Sequence, residues 1–485
     1  MTVGDIAPGY EAPLLYIAGE WRAGQGGRTR TVVNPADESA LAELPLAEAA
    51  DIDAAIAAAE AAFAEWRRSN PYARAAILRR AAALMAERRE RLAEIMTLEQ
   101  GKPLVEAGME IDRSVETFEW FAEEATRVSD TLFAPRPLGF RQRLRPEPVG
   151  VVAALTAWNF PSILVARKLT PALAAGCTVV LKAAEETPAS AVAMVRILEE
   201  AGLPAGVLNL VFGEPDEVST RLLDSPVVRK LSFTGSVPVG KLLAGKAAKH
   251  LARCTLELGG HAPVVVLPDA DPERVADQTA AFKFRNAGQV CIAASRFFVH
   301  DKLHDQVLAR FVERAKALKI GDGREAGVEM GPMANARRVE AMQELVEDAV
   351  GKGAKLLCGG ERLGNRGYFF PPTVLSEVPD GARILQEEPF GPVAPFVRYS
   401  EVEEAVARAN ALDYGLAAYV FGGDQRAAEA VGEELEAGIV GVNVFTPMLA
   451  DTPAGGVKAS GYGYEGGRAG LDAYLQYKLI SVPAG

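Results

Sequence analysis

Gly150-Val151-Val152-Ala153-Ala154-Leu155-Thr156 is the stretch whose reading decides the fold. It is an uncharged apolar run closed by a polar residue, and similar runs recur at 177–182, 207–212, 229–233 and 254–258. Helical patterns at 190–201 and 239–250 separate most of them. Low-charge strands alternating with helices signal parallel βαβ units, because a parallel strand is covered on both faces. The expected class is α/β with a doubly wound, nucleotide-binding sheet. Upstream, the chain reads as short strands and turns to about residue 60 and as helices over 50–125. Alanine-rich runs at 53–66 and 74–100 keep apolar residues on a 3–4 spacing, punctuated by Asn70-Pro71 and Gly101-Lys102-Pro103. A polar, β-leaning segment covers 132–145. Downstream of Pro263-Val264-Val265-Val266 a second α/β region is expected, with helices at 272–285, 303–318 and 335–351 and strands at 393–397 and 438–444. A β-like run at 474–482 ends the pattern.

The 485 residues are 49% apolar and 24% charged, which excludes a mainly disordered or fibrous chain. Lys and Arg total 52 against 64 Asp and Glu, a net charge of −12, which argues against a broad nucleic-acid face. The four cysteines lie far apart without a CxxC pair, so no metal site is expected, and a reduced, cytoplasmic setting is. Residues 1–11 lack the apolar core of a secretory signal. The longest uncharged stretch, 148–166, is broken by Pro148, Thr156, Asn159, Pro161 and Ser162, and reads as a strand and turn rather than a membrane span.

Four patterns bear on chemistry. A cysteine in a large protein is usually a buried hydrophobe, and Cys177 fits that. Cys291 differs: a Gly-Gln turn precedes it and Arg285 and Asn286 stand close, a context that could expose a thiol and stabilise its thiolate. Glu257 interrupts an apolar strand just before Gly259-Gly260; a carboxyl there has a raised pKa and can serve as a base, although a paired structural carboxylate fits equally. Gly235-Ser236-Val237-Pro238-Val239-Gly240-Lys241 nearly matches a P-loop, but Leu242 replaces the hydroxyl residue, so a strand–helix junction for a dinucleotide pyrophosphate is the better reading. Lys182 and Glu185 follow a strand end, where an acidic side chain can bond ribose hydroxyls. The literal GxGxxG at 461–466 reads as a turn.

Together these residues resemble the aldehyde dehydrogenase superfamily over nearly the whole chain. The motifs are Trp158-Asn159-Phe160-Pro161, Phe233-Thr234-Gly235-Ser236, Glu257-Leu258-Gly259-Gly260, Gly288-Gln289-Val290-Cys291 and Glu388-Pro389-Phe390-Gly391-Pro392. Leu98-Glu99-Gln100-Gly101-Lys102-Pro103 and Lys283-Phe284-Arg285-Asn286 resemble the succinate-semialdehyde and α-ketoglutarate-semialdehyde dehydrogenase branch.

The resemblance implies a Rossmann-type NAD-binding domain (1–126 and 149–259), a catalytic domain (260–460) and a small β oligomerisation arm (127–148 and 461–485). It implies Cys291 as nucleophile, Asn159 as oxyanion donor and Glu257 as base. Cofactor contacts fall to Thr156, Trp158, Lys182, Glu185, Thr234, Gly235, Ser236, Leu258, Glu388 and Phe390. Glu185 favours NAD; Ala183, where a proline is common, leaves NADP open. The implied substrate is an ω-carboxylated semialdehyde such as succinic semialdehyde, clamped by Arg167 and Arg285 beside Phe160. The departures are the substrate loop Thr446-Pro447-Met448-Leu449-Ala450-Asp451, Ala454 and Ala293, which keep α-ketoglutarate semialdehyde and broader aldehydes in play. A homodimer or homotetramer is implied. An NTPase and a non-catalytic cofactor-binding protein are the alternatives from other classes.

Overall fold

A computed structural model describes residues 6–134, 139–445 and 448–483. Five parallel strands match the apolar runs, each ending within two residues of the expected end: Val151–Leu155, Thr178–Lys182, Leu208–Val211, Val228–Gly235 and Arg253–Leu258. They form the middle of an eight-stranded sheet. Leu15–Ile17 and Glu20–Arg22 extend one edge antiparallel, and Gly461–Tyr462 pairs with Arg253–Leu258 at the other. From Val151–Leu155 the chain winds outward through two strands, then returns to lay Val228–Gly235 on its other side. That reversal opens a crevice at the carboxyl ends of the strands, the usual ligand position in such sheets.

A seven-stranded sheet carries the second core, with Ala262–Val266, Ala294–His300 and Val393–Tyr399 adjacent and parallel near its centre. Each sheet has its own cluster of buried apolar side chains, and half-buried Phe160 packs against both. Leu475–Pro483, Phe140–Pro148 and Thr131–Leu132 make a separate three-stranded antiparallel sheet. Residues 461–473, grouped with this arm on sequence grounds, lie elsewhere: Gly461–Tyr462 joins the large sheet and the helix Gly467–Asp472 packs on Ile163–Ala175.

The uncharged stretch 148–166 divides into the buried strand Val151–Leu155, a turn, and the start of Ile163–Ala175, a helix buried on every side. Among the described residues no helix is long and apolar enough to cross a membrane. The run expected at 74–100 is two helices, Pro71–Glu87 and Arg89–Gln100, because Arg88 (φ −99°, ψ 14°) leaves helical geometry. Its guanidinium is held by Glu200, an ion pair that offsets part of the break. Asn70 caps the first helix through the Tyr72 N–H, with Pro71 in the position where a missing N–H costs nothing. The helical pattern expected from residue 50 begins with Ala49–Trp66, and the short strands before it end at Pro45.

Candidate active site

Every expected cofactor residue except Glu388 and Phe390 stands at or just past the carboxyl end of a parallel strand. Thr156 and Trp158 follow Val151–Leu155, Lys182 closes Thr178–Lys182 with Glu185 just past it, Thr234 and Gly235 close Val228–Gly235 with Ser236 next, and Leu258 closes Arg253–Leu258. Ser236 opens the helix Val237–Ala248 without a side-chain cap, so its first N–H groups are open to an anion. The Thr156 hydroxyl is buried and has no partner. The Trp158 and Phe390 rings meet edge to face at 5.6 Å, making one wall of the crevice.

Glu185 is less free than expected. Its carboxylate takes the Lys182 ammonium at 2.7 Å and the Gly213 N–H at 3.3 Å. Lys241, the lysine of the near P-loop, is exposed and faces Asp413 at 3.9 Å. Gly461, Gly463 and Gly466 of the literal GxGxxG all have positive φ and form the edge turn.

Glu388 reaches in from the second core and accepts the Gly260 N–H at 3.2 Å. A Cβ at Gly259 would sit 2.3 Å from its carboxylate, so only glycine admits the approach. Burial pushes the Glu388 carboxyl up to about 7, against the pull of the Gly260 N–H, Arg338 and Lys283. Arg338 donates to the Pro389 and Phe390 carbonyls and so fixes this loop.

A cavity of about 250 Å3 brings Cys291, Glu257, Arg167, Arg285 and Phe160 together, with Phe282 in its wall. Cys291 is half-buried. It follows a turn in which Asn286 (φ 49°), Ala287 (φ 52°) and Gly288 (φ 72°) are all left-handed. A Cβ at Gly288 would lie 2.2 Å from the Gly391 carbonyl, so the Cys291 and Glu388 loops touch there. The turn is braced by Gln289, which donates to the Asn286 carbonyl at 3.0 Å and accepts the Ala334 N–H at 2.9 Å. Buried Asn159 donates to the Gln289 carbonyl at 3.1 Å, tying its amide to the cysteine turn.

The electrostatics correct the expectation that Arg285 and Asn286 stabilise a thiolate. Burial, then Glu257 and Glu388, push the Cys291 thiol well above its usual value. Arg167 is the cation that opposes them. Arg285 instead lies over the Phe160 ring at 5.6 Å, with its Nε buried and unpartnered. Arg167 donates to the Met448 carbonyl at 2.7 Å. Of the substrate loop, Thr446 and Pro447 lie outside the described residues.

Glu257 is buried and accepts the Thr234 hydroxyl at 3.1 Å, while its other oxygen has no hydrogen-bond partner. Burial and the neighbouring Glu465 raise its pKa, against Arg167 and Lys168. Lys168 donates to Glu465 at 2.6 Å and holds that carboxyl below the usual range despite its burial. The two carboxyls thus divide their roles: Glu465 keeps the charge and Glu257 favours the proton. Sequence reasoning singles out neither Glu465 nor Lys168. Glu465 lies in the GxGxxG that reads as a mere turn, and only the pairing of Gly461 with Glu257 brings it to the site. The cluster of a thiol, a proton-holding carboxyl and an amide donor, beside a strand-end crevice, suits covalent chemistry on a carbonyl next to a bound dinucleotide.

Comparison with known proteins agrees with this geometry. The sequence profile of the aldehyde dehydrogenase family matches residues 21–480. The 4-(hydroxymethyl)benzenesulfonate dehydrogenase TsaD1 of Comamonas testosteroni is 46% identical over 475 residues, covering 98% of this chain and 99% of that one. The succinate-semialdehyde dehydrogenase [NADP(+)] GabD of Escherichia coli strain K12 is 43% identical over 466 residues, covering 96% and 97%. The crystal structure of succinate-semialdehyde dehydrogenase from Burkholderia pseudomallei matches with a TM-score of 0.96 at 42% identity, covering 100% of both chains. The profile match over residues 21–480, the relatives above 40% identity and the fold likeness agree: the chain belongs to the aldehyde dehydrogenase family.

Proposed function

We propose that this chain oxidises an aldehyde with an anionic tail to the carboxylic acid, with NAD as its favoured hydride acceptor and NADP as the second. The observation that carries the reading is the shared cavity: Cys291, Glu257 and two arginines, Arg167 and Arg285, face one space. The open helix start at Ser236, the unpartnered Thr156 hydroxyl and the Trp158–Phe390 wall fit a dinucleotide. Lys182, Glu185, Thr234, Gly235 and Leu258 would hold its adenosine and pyrophosphate end, and Glu388 and Phe390 its nicotinamide end.

Glu257 takes the Cys291 thiol proton as the sulfur adds to the aldehyde carbon and the carbonyl electron pair moves to oxygen, and it passes that proton to solvent before the hydrolysis step. The Asn159 amide and the Cys291 N–H bond that oxyanion; one such donor typically contributes about 3–4 kcal/mol in the transition state. When bound, NAD supplies the acceptor for the hydride that leaves this carbon. The thioester left on Cys291 is attacked by water as Glu257 takes the water's proton, and the carboxylic acid departs as the sulfur is released. The unpartnered Glu257 oxygen is suited to this exchange, since its proton affinity is raised by its surroundings. The arginine forks suit a carboxylate tail.

A sulfonate tail on an aromatic ring is a second reading. It is favoured by the 46% identity to the benzenesulfonate enzyme and by Phe160 and Phe282 in the cavity wall. In this proposal the large sheet binds cofactor, the second core carries the nucleophile, and the three-stranded sheet joins subunits into a dimer or tetramer. A panel of succinic semialdehyde, α-ketoglutarate semialdehyde, 4-formylbenzenesulfonate and neutral aldehydes of matched length, each with NAD and NADP, tests the reading. Higher kcat/KM for the anionic members is expected. Equal or better turnover of the neutral aldehydes would refute the anionic tail.

A further inference from the structure

We propose that Lys102 is a positioning residue that sets the Asn159 amide against the reacting carbonyl, through its buried ion pair with Glu110. The proposal rests on the reading of Asn159 as the oxyanion donor. Lys102 is fully buried, and its ammonium bonds the Glu110 carboxylate at 2.5 Å and the Asn159 carbonyl at 2.9 Å. It also lies 4.1 Å from the centre of the Phe160 ring. The second oxygen of Glu110 accepts the N–H groups of Ser162 at 2.8 Å and Ile163 at 3.1 Å. One ion pair therefore grips both sides of the turn 159–163, between Val151–Leu155 and Ile163–Ala175.

The Asn159 carbonyl is held by side chains alone, Lys102 and the Asn286 amide, the latter at 2.9 Å. Strand and helix bonds do not fix this peptide, so the backbone from which the amide reaches the Gln289 carbonyl is set by those two donors. The same supporting helix, Leu104–Thr126, also reaches the cysteine turn: Glu106, one turn before Glu110, accepts the Asn286 N–H at 2.9 Å. Donor and nucleophile thus share one backing. Burying two charges is costly, and an apolar pair of similar volume is often as stable. The gain from this pair is geometric, and a misplacement of about 1 Å at a reacting centre can cost 100-fold in rate. Lys102 itself is not in the cavity wall. Its partner Glu110 and the Phe160 ring it rests on do line the cavity, so the uncharged aldehyde is the clean readout: there the loss of Lys102 should show in kcat rather than in KM.

The test is a double-mutant cycle of Lys102→Met and Asn159→Ala, read as kcat and KM for succinic semialdehyde and for propanal, with NAD affinity measured by fluorescence quenching. Lys102→Met is expected to lower kcat roughly 10- to 100-fold for both aldehydes, with KM for propanal and the NAD Kd within about threefold of the parent. Asn159→Ala is expected to cost about 100- to 1,000-fold. The double variant should be no slower than Asn159→Ala by more than about threefold, because Lys102 acts through the group already removed. Lys102→Arg, which keeps a buried cation, should recover part of the rate.

Losses that multiply in the double variant, or an unchanged kcat in Lys102→Met, would overturn the proposal. If Lys102→Met does not fold, Lys102→Met with Glu110→Gln leaves no unpaired buried charge and carries the same cycle. An Asn159→Ala enzyme with full kcat would instead overturn the oxyanion reading, and this proposal with it.

Discussion

Replacing Glu388 by glutamine should make the protein more stable and the enzyme worse, and the stability gain should depend on pH in one direction only. The carboxyl is raised from 4.5 to about 7 by burial. At about 1.4 kcal/mol per pH unit, that rise is a penalty of roughly 3 kcal/mol on the ionised form in the folded state. Glu388 is half-buried, so water in the crevice screens part of this, leaving about 2 kcal/mol. For an acid raised on folding, the native state binds more protons than the unfolded state between 4.5 and 7. Stability is therefore lost as pH rises through that window, and the penalty is complete above it. The glutamine amide keeps an oxygen for the Gly260 N–H and carries no charge. At pH 8.5 the Glu388→Gln variant should gain about 2 kcal/mol over the parent, and at pH 4.5 or below the gain should nearly vanish. With an unfolding entropy of about 2.1 cal/mol/K per residue over 485 residues, this is a Tm rise of about 2 °C. Thermal melts of both proteins at pH 4.5, 6, 7 and 8.5, at one scan rate, give the comparison. Weaker NAD binding should accompany the gain. A variant less stable at pH 8.5, or one whose advantage is the same at every pH, would show that burial of the charge is not what governs this site.

Alkylation of Cys291 by iodoacetamide in the absence of cofactor should rise steeply with pH without levelling near neutrality, and Glu257→Gln should speed it at pH 8 several-fold by removing a neighbouring negative charge; an inflection below pH 7 would contradict the raised thiol. Arg285→Ala should raise KM for succinic semialdehyde at least tenfold more than for butanal, measured at saturating NAD, and equal changes would refute a tail contact. Glu185→Thr should shift the ratio of kcat/KM for NADP over NAD upward about tenfold, since it removes the carboxylate that would repel a 2′-phosphate while releasing Lys182; an unchanged ratio would place the discrimination elsewhere. Light scattering should report two or four subunits, and a monomer would deprive the three-stranded sheet of its proposed partner.

The sheet could be read because its parallel strands carry little charge and end at recognisable residues: Thr156, Lys182 and Leu258-Gly259 mark the crevice from either source. Cys291 and Glu257 could be singled out because each breaks a local pattern, a turn before a thiol and a charge in an apolar strand. What governs their behaviour was less visible. Glu465 is 208 residues beyond Glu257 and reaches it by pairing of a two-residue edge strand, which has no periodicity to detect. Lys102 stands in a break between helices and Glu110 on a helix, places where charges are normally solvated, and the packing of Leu104–Thr126 against Ile163–Ala175 helps put the pair in the interior. The thiol's environment also depends on long-range contacts. Arg285 is near in sequence but turns to Phe160, while the distant Glu257 and Glu388 set the charge around the sulfur.

The edge pairing of Gly461–Tyr462 has a consequence for the birth of the enzyme. Glu257, the neighbouring Glu465 and the Lys168 that keeps Glu465 ionised come from three points along the chain, and Glu465 is made long after the other two. At about 5–20 residues per second, a ribosome needs roughly 20–90 s to make 465 residues. For the later part of that time Cys291 has already been made, but its carboxyl partner lacks the charge balance that tunes it. With Glu257 as the proposed base, a nascent chain should be a poor catalyst, with activity switching on once the segment around Glu465 has emerged rather than growing in step with length.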